Sequence, residues 1–272
     1  MIQQEYYVDI CKKDTLVITL GESWTYGDSL DEEHRRSQIY GRLIANALDA
    51  DYINIARCGA SNSWILKRAQ QVIKRPDIDS YKNVYIVFTF TESGRDFERK
   101  SDWLVNYTSY YEDYQDNITI DFYDQIFNDL EDTWTKTLYT IVNNLPKNVQ
   151  VVLGQNFPWH EHFYGFDYGN KVLKLEKNWI EAISNEYKLA SPPRAKFVTG
   201  WVWNLMTAIN DILSIDDTSV YKMWTLDKLD AALKVNEWLD TSPVNLNKTA
   251  SKHPNPTGHK IWADYIVKQI RK

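Results

Sequence analysis

The N-terminal third of the chain alternates short apolar, β-branched segments with longer segments of helical periodicity. Three segments are predicted to be buried strands, at Thr15 to Leu20, Tyr52 to Ala56 and Val84 to Phe90. Helices are predicted between them, at Leu30 to Leu48 and Asn62 to Ile73. Strands that are separated by helices need right-handed crossovers, which produce a parallel sheet covered by helices on both faces. The sequence therefore predicts an α/β protein.

The rest of the chain continues this pattern less regularly. Helices are predicted at Phe127 to Asn144, Lys171 to Tyr187 and Lys260 to Ile270, and a fourth strand at Val149 to Leu153. No repeat, low-complexity tract or Gly/Ser/Pro-rich linker divides the sequence, which favours a single domain over residues 1–272. The expected fold is a three-layer α/β/α, flavodoxin-like arrangement around a parallel sheet of about five strands.

The composition excludes several classes of protein. The formal net charge of -6 and the pI of about 5.4 argue against a general nucleic-acid binder, which needs a basic face. The apolar runs are far shorter than the ~20 residues that span a bilayer, and no basic-then-apolar N-terminal segment predicts a secretory signal. Two cysteines, Cys11 and Cys58, cannot form a disulfide framework, so a reducing compartment is expected.

A serine follows the first predicted strand at a turn. Residues 21–27 are Gly-Glu-Ser-Trp-Thr-Tyr-Gly, and the predicted strand runs directly into them. Open parallel α/β sheets bind their ligands at the carboxyl ends of the strands. The hydroxyl of Ser23 is predicted to be exposed there, beside backbone N–H groups that can face a developing oxyanion. Ser23 is therefore a candidate nucleophile, and the alternative is a turn serine that caps the next element.

A histidine near the C-terminus lies in a loop that opens the last predicted helix. Residues 252–259 are Lys-His-Pro-Asn-Pro-Thr-Gly-His, and Pro254 restricts the backbone beside His253. A general base must be held in a set position near its nucleophile. His253 is therefore the candidate base, and the alternative is an exposed loop histidine.

These segments together resemble sequence blocks of the SGNH (GDSL-type) hydrolase family. Residues 21–27 resemble the first block, usually Gly-Asp-Ser followed by a Thr and a Gly, with Glu22 in place of the Asp. Residues 54–62, Asn-Ile-Ala-Arg-Cys-Gly-Ala-Ser-Asn, resemble the second block, whose glycine N–H serves the oxyanion hole and corresponds to Gly59. Residues 253–259 resemble the last block, in which the histidine is the catalytic base.

Two positions depart from the family's pattern. The third block usually carries an Asn that donates to the oxyanion, whereas residues 89–95 are Thr-Phe-Thr-Glu-Ser-Gly-Arg, and Thr91 is the best positional match. The last block usually carries an Asp three residues before the histidine, where this chain has Ala250. The third member of the triad is therefore missing, supplied from elsewhere or replaced by a backbone carbonyl. Asp240, the nearest upstream acid, is the candidate.

Residues 27–30 read Gly-Asp-Ser-Leu, the motif that gives the family its nickname. Ser29 is nevertheless not the predicted nucleophile, because no strand runs into it. Ser29 and Glu32 also fit a capping box at the start of a helix. Ser23 has the strand, the turn and the later Gly27 in the required order.

The resemblance implies hydrolysis of an ester without a cofactor or a metal ion. Ser23 would attack the acyl carbon, and His253 would take the proton and return it to the leaving alcohol. The N–H groups of Ser23 and Gly59, assisted by Thr91, would hold the oxyanion. The side chains expected to contact the substrate are Glu22, Asn62 and Arg95.

The expected reaction removes an acetyl or another short acyl group from a carbohydrate or a similar alcohol. The acidic charge and the aromatic surplus, with 11 Trp and 18 Tyr, favour a sugar. Thr and Arg after the third strand, in place of Asn, resemble uncharacterised hydrolase-like proteins of bacteriophages, which implies a cytoplasmic or virion-associated protein. No nucleic-acid or membrane partner is expected. The alternative function is a non-catalytic SGNH-like module that binds a glycan or a protein, and acyl transfer between two alcohols would use the same residues.

Long insertions are expected at about residues 96–125 and 155–245, where they would form a cap over the cleft and carry many of the aromatic residues. Residues 159–162, Trp-His-Glu-His, contain metal-ligand side chains. Neighbouring residues of an extended chain point to opposite faces, however, and no further His or Cys group completes a site. No metal site is therefore predicted.

Overall fold

A computed structural model describes residues 7–28, 30–91, 117–156, 161–179, 182, 254 and 256–272. The predictions made for Ser29, Arg95, Asp240 and His253 lie outside the described residues, as does most of the two expected insertions.

Six strands form one sheet in the order β1-β3-β2-β4-β5-β6. All neighbouring strands are parallel except β1 and β3, which are antiparallel. The five parallel strands, numbered among themselves along the chain, have the order 2-1-3-4-5 of flavodoxin-like folds. The strands are β1 (Tyr7–Asp9), β2 (Thr15–Gly21), β3 (Ala50–Asn54), β4 (Asn83–Phe90), β5 (Val149–Gln155) and β6 (Val172–Lys174).

Seven α-helices are described in these parts of the chain, with a short 3₁₀ helix at Ile78–Ser80. Most of them follow a strand and return the chain to the amino end of the next one, as parallel pairing requires. The helices are α1 (Ser23–Tyr26), α2 (Glu32–Gln38), α3 (Tyr40–Ala47), α4 (Asn62–Val72), α5 (Asn117–Asn143), α6 (Glu161–Gly165) and α7 (Pro256–Ile270).

Helices cover both faces of the sheet. Successive side chains of a strand point to opposite faces, and β2 contributes Val17 to one core and Leu16 to the other. The first core contains residues of α3 and α7, and the second contains residues of α4 and α5. The predicted three-layer α/β/α fold is therefore confirmed. The continuous apolar character of β2 follows from burial on both faces.

The helix predicted at Leu30 to Leu48 is wrong as a single element. Ile39 is extended, with φ -67° and ψ 148°, and it separates α2 from α3. The break turns the side chain of Ile39 into the core, where it is 1% exposed, whereas no residue of α2 is buried. The N-cap also differs from the predicted capping box, because Asp31 accepts a hydrogen bond from the His34 N–H at 2.8 Å.

The helix predicted at Lys171 to Tyr187 is wrong at its start. Residues 172–174 form the edge strand β6, in which Val172 pairs with Val151 and Lys174 with Leu153. Pairing with β6 satisfies the backbone groups of β5 that would otherwise form an open sheet edge. A short apolar run fits a strand as well as a helix, and here pairing with β5 selects the strand. Trp179 and Ala182, further along, are helical as predicted.

Aromatic residues fill the core between the sheet and α7. The Trp179 ring stacks on that of Trp262 with centroids 5.6 Å apart, and it meets the rings of Trp24 and Tyr40 edge-on at 5.4 Å and 5.0 Å. Part of the aromatic surplus therefore stabilises the core. The aromatic residues that the sequence assigned to a cap lie largely outside the described residues. Within the described ranges, no helix combines the length and apolar character needed to cross a membrane.

Replacing Trp262 by alanine is expected to lower the free energy of unfolding by about 3–5 kcal/mol, because a fully buried indole leaves a cavity. Tyr139→Ala is the control, since Tyr139 is 46% exposed and its loss should cost about 0.5 kcal/mol or less. Urea denaturation measures both changes. Equal losses in the two variants would contradict the assigned core.

Candidate active site

A single helical turn carries Ser23 at the carboxyl end of the central strand β2. The strand ends at Gly21, and α1 begins at Ser23. Gly27 closes the turn in the left-handed conformation (φ 77°), with its N–H donating to the Ser23 carbonyl at 2.9 Å. A Cβ on Gly27 would lie 2.6 Å from Cγ2 of Ile39, so this position requires glycine for both conformation and space. The predicted turn around Ser23 is present.

Gly21 allows α1 to fold back against the end of β2. A Cβ at position 21 would lie 2.0 Å from Oγ1 of Thr25, and Thr25 is itself 1% exposed. The sequence predicted an exposed hydroxyl at Ser23. In the structure, Ser23 is only 4% exposed. The tight packing of the turn holds the serine within the protein rather than on its surface.

A buried carboxylate accepts a hydrogen bond from the hydroxyl of Ser23. The Ser23 Oγ donates to Oε2 of Glu22, which is 0% exposed. Oε1 of the same carboxylate accepts the Trp24 N–H at 2.9 Å and the Asn156 Nδ2 at 2.5 Å. These donors come from the turn itself and from the strand two positions away in the sheet. The predicted contact between Glu22 and substrate stays a prediction.

Asn156 is a site residue that the sequence analysis missed. It follows β5 directly, is 0% exposed, and its backbone N–H donates to the Phe90 carbonyl at 2.9 Å. A polar residue immediately after a buried strand was the available signal, because parallel strands end at a common edge of the sheet. The predicted strand stopped at Leu153, two residues before the observed end of β5 at Gln155, which hid this signal.

Asn62 and Thr91 form a reciprocal pair at the same edge of the sheet. The Thr91 N–H donates to Oδ1 of Asn62 at 2.9 Å, and the Asn62 Nδ2 donates to the Thr91 carbonyl at 2.9 Å. Both residues are 0% exposed. The backbone N–H of Thr91 is directed to Asn62, and the predicted oxyanion contact of Thr91 stays a prediction. The predicted substrate contact of Asn62 stays a prediction.

Gly59 lies in the loop after β3, beside the end of β2. Its φ of 66° is in the left-handed region that favours glycine. The loop is joined to β2 by the Arg57 N–H, which donates to the Gly21 carbonyl at 3.2 Å. The Cys58 thiol donates to Oδ1 of Asp28 at 3.0 Å, which ties the loop to the residue after α1. Gly59 thus lies close to the turn of Ser23, and its predicted oxyanion role stays a prediction.

The Cys58 thiol is partly exposed and hydrogen-bonded to Asp28. Burial, followed by the contact with Asp28, raises the pKa of Cys58 to about 12. A thiol with that pKa is protonated at neutral pH and is a poor nucleophile. Cys58 is therefore not a candidate nucleophile of this site.

The described part of the site combines the ends of β2, β4 and β5 with the loop after β3. His253, Asp240 and Arg95 lie outside the described residues, so their predicted roles stay predictions. His259 is 0% exposed, and its Nδ1 accepts the Tyr40 N–H at 3.3 Å. Among the residues with described positions, no group of three or more His, Cys, Asp or Glu side chains is arranged to hold a metal ion.

No protein-family model matches this chain, and no curated protein matches it significantly. Similar solved structures include a member of the lipolytic protein G-D-S-L family from Veillonella parvula, with 11% identity, 93% of this chain and 97% of that chain covered, and a TM-score of 0.40. A GDSL-like lipase from Bacteroides thetaiotaomicron has 12% identity, coverages of 97% and 92%, and a TM-score of 0.42. AlinE4, an SGNH-hydrolase family esterase, has 15% identity, coverages of 76% and 100%, and a TM-score of 0.37. At such low identities and TM-scores, these similarities carry no conclusion about activity.

Replacing Gly21 by alanine is expected to lower the free energy of unfolding by about 1–3 kcal/mol, because the new Cβ would overlap Thr25. Gly165→Ala is the matched control, since a Cβ there meets nothing within 4 Å. That control should be neutral or stabilising by about 0.5–1 kcal/mol. Denaturant unfolding gives both values, and an equally stable Gly21→Ala variant would contradict the close packing of the turn.

Alkylation of Cys58 by iodoacetamide should be very slow at pH 8 and should rise about tenfold per pH unit up to about pH 11, because the thiolate is the reactive form. Asp28→Asn removes a carboxylate that raises the pKa, so labelling at a given pH should become faster. Mass spectrometry of the peptide that contains Cys58 measures the rate. A plateau in the rate near pH 9.5 would contradict the raised pKa.

Proposed function

We propose that this chain is a serine ester hydrolase of the SGNH type in which Ser23 is the nucleophile. The main support is that Ser23 lies in a tight turn after the central parallel strand, at the edge of the sheet where α/β proteins bind ligands. The loop of Gly59 ends beside the same turn, and its position agrees with an oxyanion donor. The sequence blocks that resemble the SGNH family supply the reaction type.

In the proposed reaction, Oγ of Ser23 bonds to the acyl carbon while its proton passes to His253. The leaving alcohol takes that proton as its bond to the acyl carbon breaks. Water then attacks the acyl-serine, gives a proton to His253, and releases the acid as Ser23 regains its hydrogen. The oxyanion of each tetrahedral intermediate is held by the N–H groups of Ser23 and Gly59, with the hydroxyl of Thr91 assisting.

The packing of α7 supports His253 as the base. His259, six residues downstream, packs edge-on against Trp179 with ring centroids 5.2 Å apart. Trp179 in turn packs against Trp24, the neighbour of Ser23, and its Nε1 donates to the Gly258 carbonyl at 3.1 Å. The start of α7 is therefore tethered close to the turn of Ser23, and His253 precedes the first residue of α7 by three positions in the sequence.

The proposed substrate is an acetyl or another short acyl ester of a carbohydrate or a similar alcohol. The aromatic surplus and the acidic charge of the sequence favour a sugar as the alcohol. A bacteriophage-type protein, located in the cytoplasm or on the virion, is part of the same proposal, as is the absence of nucleic-acid and membrane partners.

A fluorophosphonate probe tests the nucleophile, because it labels activated serines covalently. Labelling is expected in the unmodified protein and should be abolished in Ser23→Ala. Ser29→Ala is the matched control and should be labelled normally. Hydrolysis of p-nitrophenyl acetate should fall by at least about 10³-fold in Ser23→Ala and in His253→Ala.

Absence of both labelling and turnover in the folded, unmodified protein would overturn the enzyme and favour the non-catalytic module that binds a glycan or a protein. Product analysis with and without an acceptor sugar separates hydrolysis from acyl transfer. Transfer predominating over release of free acid would correct the proposal to an acyltransferase that uses the same residues.

A further inference from the structure

The carboxylate of Glu22 connects the hydroxyl of Ser23 to the side chain of Asn156 at the end of β5. It is 0% exposed, and its Oε2 accepts a hydrogen bond from the Ser23 hydroxyl. We propose that Glu22, oriented by Asn156, is a positioning residue that holds the hydroxyl of Ser23. The inference rests on the proposed function, because it assigns Glu22 a part in the same reaction, acting through Ser23 instead of contacting the substrate.

The first argument is the direction of the hydrogen bond at Ser23. A serine hydroxyl has a single proton to donate and two lone pairs that accept. The Ser23 Oγ donates its proton to Oε2 of Glu22. The hydroxyl is therefore held in one orientation, and the proton must turn from Glu22 toward the base before Ser23 attacks.

The second argument is that the other carboxylate oxygen is itself fixed. Oε1 of Glu22 accepts the Trp24 N–H at 2.9 Å, from the first turn of α1, and the Asn156 Nδ2 at 2.5 Å, from the end of β5. Donors on both oxygens hold the plane of the group. Hydrogen bonds of this kind complement an ionised carboxylate and offset the cost of burying it.

The third argument comes from Asn156. Its Nδ2 serves Glu22, its backbone N–H donates to the Phe90 carbonyl at 2.9 Å, and its side chain is 0% exposed. Within the described ranges its Oδ1 has no hydrogen-bond partner. A buried acceptor without a partner is unfavourable and calls for an explanation. The hydrogen bond that Asn156 Nδ2 donates to Glu22 accounts for a buried asparagine at this position.

These contacts make Glu22 an anchor rather than the general base. The resemblance to the SGNH family implies that His253 is the general base, and the contacts with Ser23, Trp24 and Asn156 fix the carboxylate of Glu22 in place. Its removal should therefore disturb the orientation of the nucleophile and leave substrate binding intact. Displacement of a reacting group by about 1 Å costs on the order of 10²-fold in rate.

The first variant is Glu22→Gln, which keeps the size of the side chain and replaces one oxygen by an amide nitrogen. We expect kcat for p-nitrophenyl acetate to fall by about 10–100-fold with KM within about twofold. The fluorophosphonate should still label Ser23, at a rate lower by a similar factor. A residue that contacts the substrate would instead raise KM.

The second variant, Asn156→Asp, provides a readout that a purely structural role would not produce. It puts a second carboxyl group within 2.5 Å of Oε1 of Glu22, where two negative charges cannot coexist. The pair should share a proton at acidic pH and repel when that proton leaves. We therefore expect the kcat of Asn156→Asp to fall as pH rises. In the unmodified enzyme, kcat should instead rise to a plateau as the histidine base deprotonates.

Tyr40 and Cys58, two ionisable groups near Glu22, do not contribute to the pH profile of kcat between pH 5 and 9. Burial is the main cause that raises the pKa of both Tyr40 and Cys58, the latter to about 12, so both stay neutral in this range.

Asn148→Asp is the matched control at the opposite end of β5. The Asn148 Nδ2 donates to the Ile78 and Tyr81 carbonyls at 3.0 Å and 2.8 Å, so the same substitution also removes an amide donor. It should lower Tm without changing kcat, KM or the pH profile of kcat. Tm is measured for every variant.

Unchanged kcat and pH profile in Glu22→Gln and Asn156→Asp would overturn the inference and leave Glu22 and Asn156 as structural residues, while labelling of Ser23 would still support the proposed function. A raised KM with unchanged kcat would overturn it in favour of substrate contact by Glu22. An unmodified protein that is neither labelled nor active would overturn both proposals. If Asn156→Asp does not fold, the kcat and KM of Glu22→Gln decide.

Discussion

The buried carboxylate of Glu22 is the interaction on which the arrangement of the site depends. It joins the first turn of α1, the hydroxyl of Ser23 and the end of β5 through three hydrogen bonds. Burial of an ionisable group is unfavourable unless such partners are provided. The fold therefore has to bring Asn156 to this position, and the ends of β2 and β5 are connected through one side chain.

The sheet makes this connection possible. Parallel pairing aligns the carboxyl ends of the strands, with Gly21 opposite Thr89 and Phe90 opposite Gln155. Residues just beyond those ends are brought to one edge, where Asn62 also links the start of α4 to Thr91. The two hydrophobic cores keep the sheet covered on both faces, so the polar groups concentrate at this edge.

Sequence patterns predicted the skeleton where burial is continuous and failed where packing decided between alternatives. The strands β2 and β4 and the helix α4 were predicted within one or two residues, because their apolar periodicity is strong. The break at Ile39 was not predicted, since the helical pattern runs through it and only the core shows why its backbone is extended. Strand β6 was predicted as a helix because a three-residue element has no period of its own.

The sequence by itself determined the local geometry around Ser23. Gly21 and Gly27 bracket the turn, since a side chain at either position would collide with Thr25 or Ile39, and the strand before them is recognisable from its β-branched residues. Only the tertiary structure decided what faces the serine. Asn156 lies 134 residues from Glu22 and reaches it because β2, β4 and β5 are neighbours in the sheet. A contact of that separation depends on the order of the strands, which no local pattern of residues specifies.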